Sequence, residues 1–264
     1  MSNPSKPDFE VVYHAGIPGR AEFVRLMFEA TGVTYRDAPQ EDGQDCIIPY
    51  VTGNFADHDK NPLPFAVPVL RHNDVVISQV PNIVLYLSSR LPPIDLDGES
   101  TNTAQTPAPL HDLSTFHWLE QLMTILDMNN EVHETHHPID IRLYYEDQKA
   151  EAQKRAQAFR EARIPKFLGN FENNIKKHTS GFLNEKVSPA DLALFHMVEG
   201  ILFAFPERIN QVKSEFPHVF KLRDTIKSSR RIQAYINSGR RIPFNNYGIF
   251  RHYTELDGEV PKQQ

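Results

Sequence analysis

The feature that most constrains the fold is a change of pattern near residue 92. Before it, short runs of β-branched residues alternate with helical segments, whereas the chain after residue 112 carries only helical patterns. The stretch 92–112 between them is rich in Pro, Ser, Thr and Asp and has no hydrophobic period, as is typical of a linker. The sequence therefore predicts two domains, an α/β domain over 1–91 and an all-helical domain over 113–264.

The α/β domain is predicted to have the element order β-α-x-β-β-α. FEVVYHA and GRAEFVRLMFEATG predict the first strand and helix, and AVPVLRH, DVVISQ and PNIVLYLSSRL predict two strands and a closing helix. The segment between these two groups is rich in Pro, Asn and Asp, which predicts a loop with short helical pieces. At 264 residues, the chain is long enough to bury a sizeable core.

Composition argues against several classes of partner. A formal net charge of -6 gives no reason to expect nucleic acid or a membrane surface as a partner. No apolar run approaches the roughly 20 residues that span a bilayer. The single cysteine, Cys46, excludes an internal disulfide, and the polar amino terminus lacks a signal-peptide pattern. These features predict a cytoplasmic protein without a membrane or nucleic-acid partner.

The sequence HETHHP, residues 133–138, matches the H-E-x-x-H motif of zinc peptidases. That motif places two histidines one turn apart on the same face of a helix, with a glutamate base between them and a third ligand from elsewhere. Pro138 biases His137 away from helical geometry, which separates it from His133. We therefore expect no metal at this motif, and with one cysteine a thiolate cluster for zinc is excluded as well.

Four segments follow in order along the chain: VVYHAGIPGRAEFVRLMFEATGVTYRD, VPVLRHNDVVISQVPNIVLYL, GFLNEKVSPADLALF and IPFNNYGIF. Together they resemble the tyrosine-type (sigma, pi, mu and alpha) enzymes of the glutathione transferase superfamily. The resemblance covers nearly the whole chain. It implies a thioredoxin-like α/β N-terminal domain followed by an all-α helical C-terminal domain, glutathione as co-substrate, and a homodimer.

The resemblance implies a catalytic role for Tyr13. In the family, a tyrosine at the end of the first strand donates a hydrogen bond to the glutathione sulfur. Because a free thiol has a pKa near 8.5, such a bond favours the thiolate. The alternative is a structural tyrosine whose hydroxyl contacts a backbone group. The sequence departs from the usual motif at Pro18, which replaces an arginine, so the loop beside the thiol is altered.

Other positions match the family's glutathione-binding residues. A cis Val67–Pro68 bond would direct the backbone of Val67 toward the cysteinyl part of glutathione. Gln79 and Val80 stand where the family has Gln/Glu-Ser at a helix start, so the backbone N–H that holds the γ-glutamyl carboxylate is kept and a hydroxyl is lost. The remaining candidates are Lys60 for the glycyl carboxylate, Arg20 for the glutamyl group, and Asp127 for the γ-glutamyl amine across a dimer interface.

The second substrate is predicted to lie against His14, Met123, Asp127 and His137. His14 and His137 are candidates for pocket walls or proton donors, and ordinary surface histidines are the alternative. The resulting function is addition of the glutathione thiolate to a small hydrophobic electrophile, as in detoxification or secondary metabolism. Two alternatives remain open: an isomerase that recycles or does not use glutathione, which the loss of the hydroxyl at Val80 favours, and a non-catalytic binding or regulatory protein of the same fold.

Overall fold

The computed structural model describes residues 8–99 and 112–258. They form two units, the first containing the chain up to Thr115 with Ser229–Ile242, and the second containing Phe116–Ser228 with the chain from Pro243 onward. Residues 100–111 of the predicted linker lie outside the described residues. Residues 92–99 contain no helix or strand.

The first unit is built on a sheet that, within the described residues, has four strands in the order β2-β1-β3-β4. These are β1 (Phe9–Val12), β2 (Arg36–Asp37), β3 (Val69–His72) and β4 (Val75–Ser78). β2 runs parallel to β1, whereas β3 is antiparallel to both β1 and β4. The predicted β1, β3 and β4 are confirmed. β2 was missed because two residues are too short to show a hydrophobic period.

The first unit also contains helices α1 (Glu22–Thr31), α2 (Ala38–Asp42), α3 (Ile48–Thr52), α4 (Val80–Ser88) and α11 (Arg230–Asn237). A 3-10 turn over Gly19–Ala21 leads into α1. Nearly every side chain of α1 is buried, including the charged Glu22 and Arg25. Buried charges need partners. Glu22 and Arg25 lie 3.7 Å from each other, and Glu22 has further partners from a distant part of the chain.

Helix α11 belongs to the first unit, although it lies within the range 113–264 that the sequence assigned to the helical domain. The hydroxyl of Tyr235 donates to the buried carboxylate of Glu22 at 3.1 Å, and Nε of Arg241 lies 3.3 Å from the same carboxylate. The backbone N–H of Arg231 donates to the Leu96 carbonyl at 2.9 Å. The sequence pattern could not show that α11 belongs to the first unit, because α11 continues the helical pattern of its neighbours without interruption.

The second unit is helical. Its helices are α5 (Leu113–Glu134), α6 (Lys149–Ala158), α7 (Ile164–Lys176), α8 (Pro189–Ala204), α9 (Pro206–Val212), α10 (Pro217–Ser228) and α12 (Thr254–Asp257), with a π-helical turn at Phe159–Arg163. Helix α8 is almost entirely buried and begins with a capping box, in which Asp191 accepts from the Ser188 N–H at 2.8 Å.

Among the helices in the described parts of the chain, none by itself combines the length and apolar character needed to cross a membrane. The pair Pro189–Ala204 and Pro206–Glu215 meets that test together, with a bend of 116° between them.

Candidate functional site

Tyr13 directly follows β1, and its side chain is 4% exposed. The backbone N–H of Arg20 donates to the Tyr13 hydroxyl at 3.1 Å. Gly19 adjoins this bond with a φ of +47°, and a Cβ added there would overlap the hydroxyl. Because the bond to Arg20 uses the hydroxyl oxygen as an acceptor, the hydrogen of the hydroxyl is not committed to it and can be donated to a ligand.

The surroundings of Tyr13 keep its hydroxyl protonated. Burial raises the pKa of Tyr13, and this effect exceeds the opposing contributions of the Arg20 backbone hydrogen bond and of the positive charges on Arg20 and Arg25. The group is therefore a hydrogen-bond donor at neutral pH. A buried donor of this kind stabilises a thiolate placed against it more strongly than a solvated one does.

His14 lies beside Tyr13, with ring centroids 5.1 Å apart in an edge-on arrangement. Its Nδ1 is 3.0 Å from Nε2 of Gln44, whose Oε1 accepts from the Ala15 N–H at 2.9 Å. The amide orientation set by Ala15 makes Gln44 the donor to Nδ1, which leaves the hydrogen of the neutral ring on Nε2. Burial lowers the pKa of His14, which favours that neutral form. The sequence analysis did not identify Gln44.

Arg25 is a second residue that the sequence analysis missed. Its side chain is inaccessible to solvent and holds the Asp37 carboxylate by two bonds, Nε to Oδ2 at 2.8 Å and Nη2 to Oδ1 at 3.1 Å. Its Nη1 donates to the carbonyl of Pro18 at 3.1 Å. Arg25 therefore ties β2 to the loop before Gly19, the loop that positions the hydroxyl of Tyr13.

The predicted peptide-binding strand has the expected backbone. The Val67–Pro68 peptide bond is cis, and it lies immediately before β3. Pro68 is buried and Val67 is half-buried. Val67 also packs against the core cluster that contains Val12 and Val69.

Helix α4 begins at Val80, the residue at the matched serine position. Gln79 precedes the helix with a φ of 69°, and its side chain is exposed. Val80 is the first helical residue, and Pro81 occupies the second position rather than the first. Val80, at the position where the resembled family has a serine, has a side chain that is only 3% exposed. The isopropyl group is therefore core, and the anion-binding capacity of this helix start rests on its backbone N–H groups.

The predicted cations of the first unit have different surroundings. Lys60 is exposed, and its ammonium lies 3.4 Å from a carboxylate oxygen of Asp57 and 3.7 Å from one of Asp74. Arg20 is half-buried in the 3-10 turn that begins at Gly19. The acidic neighbours of Lys60 offset part of its attraction for a carboxylate ligand, whereas Arg20 lies in the turn that contacts Tyr13.

The remaining predicted residues lie in the second unit. Met123 and Asp127 are exposed on α5. Helix α5 ends at Glu134, so His137 lies beyond the helix. Its ring is nevertheless 5.0 Å from that of His133, contrary to the separation expected from Pro138. The assignment of Met123, Asp127 and His137 to a substrate pocket stays a prediction.

Comparisons with known proteins agree with this architecture. Residues 133–239 match the family described as "Glutathione S-transferase, C-terminal domain". A glutathione S-transferase of Plasmodium falciparum (isolate 3D7) is 24% identical over 235 residues, which are 86% of this chain and 95% of the relative.

Solved structures share the fold. The pi-class glutathione S-transferase of Onchocerca volvulus superposes with a TM-score of 0.62 at 18% identity, covering 90% of this chain and 97% of that one. Prostaglandin synthase D of Nilaparvata lugens has a TM-score of 0.57 at 18% identity, covering 90% and 100%. The fold is therefore the glutathione transferase fold, with a small mixed-sheet domain and a helical domain. The family match over residues 133–239 and the 24% identical relative support the glutathione transferase superfamily for this chain.

Proposed function

We propose that the first unit binds glutathione and that Tyr13 donates a hydrogen bond to its sulfur, so that the thiolate adds to a small hydrophobic electrophile. The observation that carries this proposal is the bond from the Arg20 N–H to the Tyr13 hydroxyl, which orients the hydroxyl and leaves its hydrogen uncommitted. In the reaction, the thiol proton passes to solvent or a base. A carbon–sulfur bond then forms as the attacked π bond of the electrophile breaks, or as a leaving group such as chloride departs with its bonding electrons.

The same unit supplies contacts for the rest of glutathione. The backbone of Val67 before the cis bond pairs with the cysteinyl residue, and the N–H groups at the start of α4 hold the γ-glutamyl carboxylate beside Gln79. Lys60 attracts the glycyl carboxylate and Arg20 the glutamyl group. None of these contacts needs a side-chain hydroxyl at position 80. The buried side chain of Val80 is therefore compatible with glutathione binding.

Titration calorimetry with glutathione tests the proposal, and we expect one glutathione to bind per chain. S-methylglutathione is the matched control ligand, because it keeps both carboxylates but cannot form a thiolate. Bound glutathione, but not S-methylglutathione, should show thiolate ultraviolet absorbance at neutral pH. Heat of binding without thiolate absorbance would contradict the role of Tyr13. Absence of binding would contradict the whole proposal.

A conjugation assay separates the chemical alternatives. With an activated aryl chloride as electrophile, we expect glutathione to be consumed in proportion to product. A product that forms from a compound in a cell extract only when glutathione is present, without net consumption of glutathione, would instead indicate isomerisation. Binding with no turnover of any electrophile tested would indicate a non-catalytic protein. The natural electrophile can be sought by product analysis of a cell extract with and without glutathione.

The protein is also expected to be a homodimer, because members of the family that it resembles complete one subunit's cleft with the other subunit, and closed two-fold pairs are the commonest oligomers. In sedimentation velocity at micromolar concentration, the particle should have twice the chain mass of 30.3 kDa. A profile that contains only the 30.3 kDa species would contradict the prediction. The cytoplasmic location likewise remains a prediction.

A further inference from the structure

The three histidines of HETHH converge in the second unit. His133 lies on the last turn of α5, and His136 and His137 follow its end. Their ring centroids are 4.8 to 5.0 Å apart in all three pairs. One ring nitrogen of each residue lies within 4.8 Å of the others. The chain therefore brings together three imidazoles, the commonest metal-binding side chain.

The central residue, His136, is already oriented as a ligand. Its side chain is 1% exposed, and its Nε2 donates to the backbone carbonyl of Ile249 at 2.8 Å. Because a carbonyl can only accept, Nε2 carries the hydrogen and Nδ1 presents a lone pair. Within residues 8–99 and 112–258, nothing hydrogen bonds to this buried Nδ1. A buried acceptor without a partner is costly, which makes a bound group at this position favourable.

His137 lies against the side-chain amide of Gln148. Its Nδ1 is 3.3 Å from Nε2 of Gln148, which also donates to the Leu143 carbonyl at 3.1 Å. In metal sites, a ligating histidine almost always donates its other N–H to a carbonyl, a carboxylate or water, which orients the ring. His136 has such a contact, through the carbonyl of Ile249.

We propose that His133, His136 and His137 form a binding site for a divalent transition-metal ion such as Zn²⁺, whose tetrahedral coordination accepts three neutral imidazoles. Three histidines leave a fourth tetrahedral position for water or a ligand. This proposal reverses the expectation of no metal, which depended on Pro138 separating His137 from His133. It does not depend on glutathione binding, which was assigned to residues of the first unit.

The site differs from that of a zinc peptidase. His136, which is not part of the H-E-x-x-H pattern, supplies the central ligand. Glu134, which would be the general base of that motif, is exposed and its carboxylate is bound by Nη2 of Arg155 at 2.6 Å. The structure therefore favours a three-histidine site without a glutamate base.

Two features bear on affinity. Zinc–nitrogen bonds of about 2.0–2.1 Å in a tetrahedron place ligand nitrogens about 3.3 Å apart. Because the histidine nitrogens lie within 4.8 Å of one another, they must approach by at most about 1.5 Å. His133 and His137 are half-buried and can make this adjustment, whereas His136 is fixed by Ile249. Burial and the positive charge of nearby Arg251 both lower the pKa of His136, to about 2, which keeps the ring neutral but also opposes a bound cation.

The test uses the full chain without a histidine tag, freed of metal by a chelator and titrated with Zn²⁺. We expect one equivalent to bind, and Co²⁺ to give the visible absorption of a tetrahedral nitrogen site. His133→Ala and His137→Ala should each weaken Zn²⁺ binding by at least about a hundredfold, the upper end of what loss of an outer-shell partner costs.

His117→Ala is the matched control because His117 is exposed on the same helix, α5. It should leave affinity and stoichiometry unchanged. Circular dichroism of each variant shows whether the fold is kept, and if one ligand variant unfolds, the other carries the test. Less than one equivalent of Zn²⁺ in the unmodified chain would overturn the proposal. So would an unchanged affinity in a folded His133→Ala or His137→Ala variant.

Discussion

Replacing Tyr13 with phenylalanine is expected to lower kcat/KM for glutathione conjugation roughly tenfold to hundredfold at neutral pH. The change removes one hydrogen bond to a charged sulfur, and such a bond is worth about 1.5–3 kcal/mol. Since one pKa unit corresponds to about 1.36 kcal/mol, the pKa of the bound thiol should rise by about one to two units. The pH at which activity reaches half its maximum should move upward by the same amount.

The measurement is a pair of pH titrations, one of the thiolate absorbance of bound glutathione and one of kcat/KM. Glutathione affinity measured well below the thiol pKa should stay nearly the same, because the neutral thiol gains little from the tyrosine. Tyr86→Phe is the control, since it removes a hydroxyl in the same unit that bonds to Nδ1 of His72 at 2.8 Å. An unchanged pH profile in Tyr13→Phe would rule out Tyr13 as the donor.

Gly19→Ala offers a second test that keeps the tyrosine. The added methyl group would overlap the Tyr13 hydroxyl and would also occupy a backbone with a φ of +47°. The hydroxyl must then leave its bond to the Arg20 N–H. If the position of the hydroxyl matters, this variant should show the same upward shift of the pH profile as Tyr13→Phe.

Replacing Arg25 with methionine is expected to lower the free energy of unfolding of the first unit by about 3–5 kcal/mol, the usual cost of removing one partner from a buried ion pair. Arg25 is fully buried and neutralises Asp37, and its Nη1 lies 3.7 Å from the carboxylate of Glu22. Burial already raises the pKa of Glu22, with Arg25 the largest opposing influence. Methionine fills much of the volume but leaves both carboxylates without this cation.

Each unit contains one residue whose own signal can follow unfolding of that unit in urea. Cys46, the only cysteine, lies in the first unit, and Trp118, the only tryptophan, lies in the second. Thiol reactivity of Cys46 in urea should reach its midpoint at a lower concentration in Arg25→Met. Arg90→Met, an exposed position on the same unit, should change stability by less than about 0.5 kcal/mol. Equal midpoints for the two variants would show that the Arg25 network does not stabilise the unit.

Much of the fold was predictable from local patterns. The strand pair around His72–Asn73–Asp74 and the capping box at Ser188 are local features, since their signals lie within a few residues of one another. The position of Tyr13 was also predictable, because the order of strands and helices places this residue at the end of β1. Local hydrophobic periods, turn residues and caps determine such features before any tertiary contact forms.

The sequence by itself determined the two-part architecture, the position of Tyr13 after the first strand and the presence of a histidine-rich motif at the end of α5. Only the tertiary structure decided that α11 joins the first unit, that Val80 is buried, and that His133, His136 and His137 meet. The first and the last of these involve partners far apart in the chain, Tyr235 for Glu22 and Ile249 for His136. Contacts at such separations leave no periodic signal, because the hydrogen bonds and packing that select them exist only once the chain is folded.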